Sequence, residues 1–361
     1  MLIYMLEIDG SIYEGGGQIL RTALAFSALT GTSFKLINIR KNRSSPGLKH
    51  QHLAAVSAVK SLCSAETLGE ELGSTCLEFK PGKVKFQNLN IDIGTAGSVT
   101  LLLQSLLPVV IFSNKKIKLQ ILGGTDTSNS MPIDYFTNVF MPQLRKYVDY
   151  DINLVKRGYY PKGGGSLILK LKPIFKLENS VIDFLSMIKQ QGTKIDLTNK
   201  GNLLIIKGKS HASKDLMNAN VAERQTRQAK LILKDYPNQI DIEYVDTFST
   251  GSGITLWALY SDEDEINFKN PVILGSDSLG ERGKKAEKVG EEAAYKLIEQ
   301  IKNNHPVDEY LSDQLLPYLA LFGGRMNVSK ITEHAKANMY VIEMFLGIEF
   351  KIEDNIISVN N

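Results

Sequence analysis

A chain of 361 residues, 43% hydrophobic and 22% charged, has the composition of a soluble globular protein of about two to three domains. Its formal net charge of +3 excludes no class of partner, so local charge clusters carry more information. Two cysteines, Cys63 and Cys76, without metal-ligand spacing, exclude a disulfide scaffold and a zinc module and read as free thiols in a reducing cytoplasm.

Residues 2–9 predict a strand, without the basic n-region of a secretory signal. The segment Glu14-Gly-Gly-Gly-Gln-Ile-Leu-Arg21 follows, opening a helix that runs to Gly31. Three glycines let a backbone turn sharply against a ligand. Gln18 and Arg21 share a helix face, and Glu14 is a hard oxygen ligand of the kind Mg²⁺ or Mn²⁺ takes. A glycine-rich turn with a solvent-facing ion pair would use the same residues. Residues 34–39 predict a strand, and a helix runs from about 48 to 63. Between them lies the loop 40–47. Lys35, Arg40, Lys41, Arg43 and Lys49 cluster there, as a solvated loop or as a phosphate site suited to arginine's planar fork. Strand-like runs follow near 77–79 and 84–93.

The order then repeats. Gly94-Thr95-Ala96-Gly97 opens a helix to Val110 that carries Gln104. The apolar run 101–112, broken by Gln104 and Pro108, falls short of the about 20 residues that span a bilayer. A strand at 117–122, a polar loop at 123–129 and a helix at 131–147 follow, with Pro132 at the helix's first position. Strands near 152–156 and 166–171 flank Pro161-Lys162-Gly163-Gly164-Gly165.

The next stretch breaks the pattern. It has a strand at 203–207, a helix at 217–234, strands at 240–246 and 254–260 expected to pair, a strand at 272–274 and a charged helix at 283–303. It reads as an inserted α+β domain, 184–303, joined near Ile182 and Pro306 to a larger domain of 1–183 and 304–361. A third, shorter copy closes the chain: a helix at 310–321, a strand at 325–331, a last helix, and strands at 348–352 and 356–359. Loops 40–47, 123–129 and the one before His334 then stand in equivalent places.

In the third copy Tyr310, Asp313 and Gln314 share a helix face, as a solvated polar face or part of a site. In the last helix Thr332 is the expected N-cap, Gly347 the stop, and Val341, Met344 and Phe345 the core stripe. His334 falls in the first turn, where partial positive charge and free N–H groups keep imidazole neutral and attract phosphate. That suits a nucleophile on phosphorus, while a core histidine bonded to backbone is the competing reading. A P-loop is excluded, since Glu281 stands where its lysine would be. A dinucleotide fingerprint and a His-Glu-x-x-His site are also missing.

In their order these stretches resemble the RNA 3′-terminal phosphate cyclases over nearly the whole chain. The carriers are Glu14–Arg21, Pro46-Gly-Leu-Lys-His-Gln-His52, Gly94-Thr-Ala-Gly-Ser98 and Gly123-Gly-Thr-Asp126. They continue with Arg157-Gly-Tyr-Tyr-Pro-Lys-Gly-Gly-Gly165, Glu309-Tyr-Leu-Ser-Asp-Gln-Leu315 and His334-x-x-x-Asn338. The resemblance implies an α+β fold, an α/β sandwich of three βαβαββ-type units with a smaller inserted α+β domain. It implies a cytoplasmic ligase-class enzyme that uses ATP, with Mg²⁺ or Mn²⁺, to turn an RNA 3′-terminal phosphate into a 2′,3′-cyclic phosphate. AMP and pyrophosphate would leave by way of a histidine–AMP and an RNA-adenylate. It assigns His334 as nucleophile, Glu14 as metal ligand, and Glu14, Arg21 and Arg43 as catalytic. Gln104, Pro132, Tyr310, Asp313 and Gln314 are assigned to ATP, and Arg40, Arg43 and Gln51 to RNA. Three rivals stand beside it, the simplest a nucleic-acid-binding module, for which the basic loop would suffice and Glu14, Asp313 and His334 would not be needed together. Non-catalytic relatives that bind RNA in ribosome assembly lack the nucleophilic histidine, and enolpyruvyl transferases share the repeat architecture but need no ATP.

Overall fold

The computed structural model describes residues 5–175, 187–188, 193–262, 267 and 269–359. The first copy of the repeat runs strand Met5–Asp9, helix Gln18–Thr30, strand Ser33–Ile37, helix His50–Cys63, then strands Glu66–Leu68 and Leu77–Lys80. Its first two strands are parallel, which requires a crossover, and the Gln18–Thr30 helix supplies it. The last two strands pair antiparallel and dock beside the second, so the spatial order is first, second, fourth, third.

The second copy repeats this order. Strand Leu89–Asp92 is parallel to Ile117–Gly123, with Gly165–Pro173 and Val148–Lys156 following antiparallel. Its helices are Val99–Val110 and a helical stretch from 133 to 144. The second of these was expected to start with Pro132 inside it, but Pro132 occupies the N-cap position. It also passes through a π-helical segment, Phe136–Phe140. Pro142 has no N–H to give the Asn138 carbonyl and its ring crowds that carbonyl, which accounts for the widened turn.

The third copy has the same sheet order, Ile195–Leu197, Gly324–Asn327, Ile356–Val359, Lys351–Glu353. Its first strand pairs parallel with Gly324–Asn327. Everything between these two strands in sequence is therefore crossover, and it ends in the helix Glu309–Phe322. Ile195–Leu197 lies inside the expected 184–303 insert yet belongs to this sheet. The expected junction near Ile182 lies outside the described residues.

Within the crossover is a fourth sheet, in the order Asn238–Val245, Asn202–Ser213, Ser252–Ser261, Val272–Leu279. The strands at 240–246 and 254–260, expected to pair, are separated by Asn202–Ser213, which runs parallel to the first and antiparallel to the second. The helix Val221–Ile232 is the crossover of that parallel pair, and a sequence neighbour lost the pairing to it. With side chains alternating across a strand, Leu256, Ala258 and Tyr260 pack with Ala229, Val289 and Leu297 of the sheet's own helices. Trp257 and Leu259 face the opposite way, into the main core.

The Gln18–Thr30 helix is the hub. Every residue from Gln18 to Leu29 is buried, packed on the helices His50–Cys63, Val99–Val110 and Glu333–Leu346. Cys63 and Cys76 are free thiols. Among the described residues no helix is long and apolar enough to cross a membrane.

Candidate active site

The glycines after Glu14 press their segment against the loop that follows the second strand. A Cβ on Gly16 would stand 2.9 Å from Arg43 Nη2, and one on Gly17 would stand 2.4 Å from His52 Nε2. Glu14 is thereby held between two loops. Its Oε1 is ion-paired with Arg43, and its Oε2 lies 2.6 Å from Nε2 of His334.

His334 is the second residue of the helix Glu333–Leu346. Thr332 caps it, its hydroxyl accepting the Ala335 N–H at 3.0 Å, and Gly347 ends it in a left-handed conformation. The ring is half-buried, and burial, then the charges of Arg21 and Arg43, bring its pKa down to about 4. A neutral ring thus stands beside the unused N–H groups of a helix start.

One helix turn further in lies a chain of amides and charges. Arg21 donates through Nε to Gln104 Oε1 at 2.7 Å and through Nη2 to Gln18 Oε1 at 2.5 Å. Gln104 donates to Gln314 at 2.7 Å, and Gln314 to Asp313 at 3.0 Å. Burial lowers Arg21 to about 10 and raises Asp313 to about 7, each opposed by the other's charge. Asn338 ties three helices at this point. Its amide donates to the Asp313 carbonyl at 2.9 Å, and its oxygen accepts from Gln18 at 2.8 Å and from the Thr22 hydroxyl.

The other sequence-assigned residues surround these two groups. Arg40 donates to the carbonyls of Ser45 and Gly47 at 2.6 and 2.9 Å, bracing the loop that presents Arg43. Gln51 accepts the Ser98 N–H at 3.2 Å, joining the first copy's loop to the Gly94–Ser98 segment. Pro132 is buried at the end of the second copy's loop, whose Met131 carbonyl accepts from Thr100 at 2.7 Å. Tyr310 stands 44% exposed at the start of its helix, its ring edge-on to Tyr135 at 6.4 Å. Tyr135 in turn donates to Asp308, the N-cap of that helix, at 2.6 Å.

Thr22, Tyr135 and Asp308 were not read as site residues from sequence. Gln18 and Asn338 lie in the motifs that carry the resemblance, which gives neither a role. Their signal was spacing, since Gln18 lies three residues before Arg21 and Asn338 four after His334, on shared helix faces.

Comparison with known proteins gives one answer. Residues 12–352 match the family model described as RNA 3'-terminal phosphate cyclase. The chain is 42% identical over 355 residues to the RNA 3'-terminal phosphate cyclase of Pyrococcus furiosus, covering 98% of this chain and 96% of that one. It is 44% identical over 353 residues to the protein of the same name from Saccharolobus solfataricus, covering 96% of each.

Proposed function

The chain belongs to the RNA 3′-terminal phosphate cyclase family, and on that premise we propose that it is an ATP-dependent enzyme converting an RNA 3′-phosphate to a 2′,3′-cyclic phosphate through an adenylylated His334. The observation that carries the reading is the meeting of a neutral imidazole, the Glu14 carboxylate and the Arg43 guanidinium at one helix start.

The lone pair of the neutral ring attacks the α-phosphorus of ATP. A P–N bond forms, the α–β bridging bond breaks, and pyrophosphate leaves. First-turn N–H groups and Arg21 hold the α-phosphate. The amides of Gln104 and Gln314, with Asp313, Tyr310 and Pro132, form the nucleotide's surroundings. An oxygen of the RNA 3′-phosphate, held by Arg43 and the Arg40-braced loop beside Gln51, then attacks the adenylate and the P–N bond breaks. Finally the 2′-OH attacks the 3′-phosphorus, releasing AMP and its own proton. Activation makes this closure possible, because AMP is a far better leaving group than the oxide it replaces, and the 2′-OH is already in place.

Mg²⁺ and Mn²⁺ take oxygen ligands, commonly one or two carboxylates together with substrate phosphates. The donor set fits, because Glu14 offers a carboxylate with 29% of its side chain exposed beside the reacting histidine. Bound there, the ion would neutralise charge on the departing pyrophosphate. Glu14→Gln should then raise the metal concentration that supports half-maximal adenylylation about tenfold, and an unchanged metal response would return Glu14 to a structural role.

The deciding test uses α-labelled ATP. Wild type should carry acid-labile label on a denaturing gel. His334→Ala should carry none while keeping its circular dichroism, and replacing His50, His52, His211 or His305 should leave the adduct. Label on a folded His334→Ala protein would overturn the assignment. A wild type that never took up label would favour the non-catalytic RNA-binding reading.

A further inference from the structure

Two aromatic rings stand in solvent where the chemistry above gives them no work: Tyr160, 76% exposed, and Phe248, 58% exposed. Tyr160 is at the tip of the turn that the Gly163 N–H closes on the Tyr159 carbonyl at 2.8 Å. Phe248 lies in the loop 246–251 of the inserted sheet and covers the backbone of the same turn, since a Cβ on Gly164 would stand 2.1 Å from its ring. The Lys162 N–H donates to Ser249 Oγ at 3.1 Å, tying the two loops together. Both rings are thus presented outward by the packing beneath them, not left on loose chain.

Cations accompany them. The Lys156 ammonium sits 3.5 Å above the Phe248 ring, and Lys162 is exposed. The acidic neighbours are engaged: Asp246 pairs with Lys214 at 2.5 Å, and Asp215 accepts the Thr250 hydroxyl.

The patch continues the site. Gly163 lies against the Thr95–Ala96 backbone, where a Cβ would stand 2.8 Å from the Thr95 carbonyl oxygen. That same segment receives Gln51 at the Ser98 N–H. Residues 95–98 thus connect Gln51 to the turn that carries Tyr160.

We propose that Tyr160 and Phe248 form a stacking platform for the unpaired nucleotides upstream of the terminal two of the 3′-phosphorylated RNA; a base arriving on Phe248 displaces the Lys156 ammonium from that ring, and Lys156 and Lys162 then meet the backbone phosphates. The proposal deepens the cyclase reading and rests on it. Every base has a π-face, so such a platform tolerates any sequence, and its lysines make binding salt-dependent.

The experiment compares Tyr160→Ala, Phe248→Ala and Tyr160→Phe on a 3′-phosphorylated hexanucleotide and a 3′-phosphorylated dinucleotide, with self-adenylylation measured in parallel. A second hexamer carries 2-aminopurine at the third nucleotide from the 3′ end, so that stacking quenches its fluorescence. Each alanine variant should raise KM for the hexamer about tenfold. Dinucleotide use and self-adenylylation should stay at wild-type level, quenching should be lost, and Tyr160→Phe should behave as wild type. Folded alanine variants with wild-type KM for the hexamer and undiminished quenching would overturn the platform. If wild type takes up no label from ATP, the cyclase reading fails, and the quenching titration still decides: quenching that depends on both rings supports the platform, and quenching that is absent or indifferent to them overturns it.

Discussion

At His334 two influences meet on one ring. The Glu14 carboxylate on Nε2 favours the charged form, whereas burial and the guanidinium groups of Arg21 and Arg43 favour the neutral one and prevail, at about 4 against an ordinary 6.5. Because the folded pKa lies below the unfolded one, the unfolded chain binds this proton first. The stability His334 contributes above pH 6.5 is lost as pH falls toward 4. Asp313, raised to about 7, acts in the opposite sense over an overlapping range, so a stability curve alone would blend the two. A site-resolved measurement separates them. In an NMR titration of histidine-labelled protein, the imidazole signals missing from His334→Ala should move with a midpoint near pH 4. A midpoint near 6.5 would mean that the Glu14 carboxylate offsets burial and the two arginines. At this scale the sequence marked the charged residues, because hard ligands and forked cations are recognisable by type. Gln18, Thr22 and Asn338 escaped because an amide's or hydroxyl's role depends on what it meets across 316 to 320 residues of chain.

The elements place those residues through one recurrent unit, and Asn338 is where two copies of it are fastened. It is fully buried on the helix that starts at His334 and joins the Gln18–Thr30 helix to the Glu309–Phe322 helix. Asn338→Ala would leave the Gln18 amide and the Thr22 hydroxyl without their acceptor in a water-free place. The expected cost is about 2–4 kcal/mol in chemical denaturation, more than a single net hydrogen bond of about 1 kcal/mol provides. Self-adenylylation should slow as well, since Arg21 is positioned through Gln18. A loss under 1 kcal/mol would show that water or neighbouring groups replace the acceptor. Most elements were legible because helix periodicity and caps are local: Thr332, Gly347 and the 341–345 stripe sit as read. Pairing was less legible, because strand partners are chosen across a crossover, as at Asn202–Ser213. Two strands, Glu66–Leu68 and Ile195–Leu197, are three residues long and carry too little pattern to announce themselves.

For the whole molecule, the question is what holds the inserted sheet against the repeats, and Arg157 is the strongest answer. It is 1% exposed and bonds Asp126 at 3.1 Å and Asp134 at 2.7 Å on the second copy, and Glu243 at 2.9 Å on the inserted sheet. Burial alone would depress its pKa, but the three carboxylates outweigh that and hold it well above its ordinary value. His211, fully buried on the inserted sheet, accompanies it. Its Nδ1 is 2.7 Å from the Tyr159 hydroxyl, and its unpartnered Nε2 lies 3.4 Å from Asp126 Oδ1. Asp126, Asp134, His211 and Glu243 would suit a cation, and the guanidinium already fills that role. Arg157→Met should therefore cost about 3–5 kcal/mol, because it strands Asp126 and Asp134, whereas Glu243→Gln at a half-exposed rim should cost about 1 kcal/mol or less. The pH dependence identifies the cause. In wild type, burial and then the Arg157 charge hold His211 at about 3, so its contribution is present above pH 6.5 and lost as pH falls toward 3. Without Arg157, burial and Lys209 still lower that ring's pKa, but the carboxylates of Asp134 and Glu243 are no longer offset by the guanidinium, and the pKa should rise from about 3. A histidine whose pKa has risen toward its unfolded value loses less stability as pH falls below 6.5 than the same ring does in wild type. The deficit of Arg157→Met relative to wild type should accordingly be smaller at pH 5.5 than at pH 8. A second substitution, His211→Gln, should make the difference between the two pH values smaller. An equal deficit with His211 still in place would mean that the inserted sheet moves away when Arg157 is lost, taking the ring out of reach of Asp126 and Asp134.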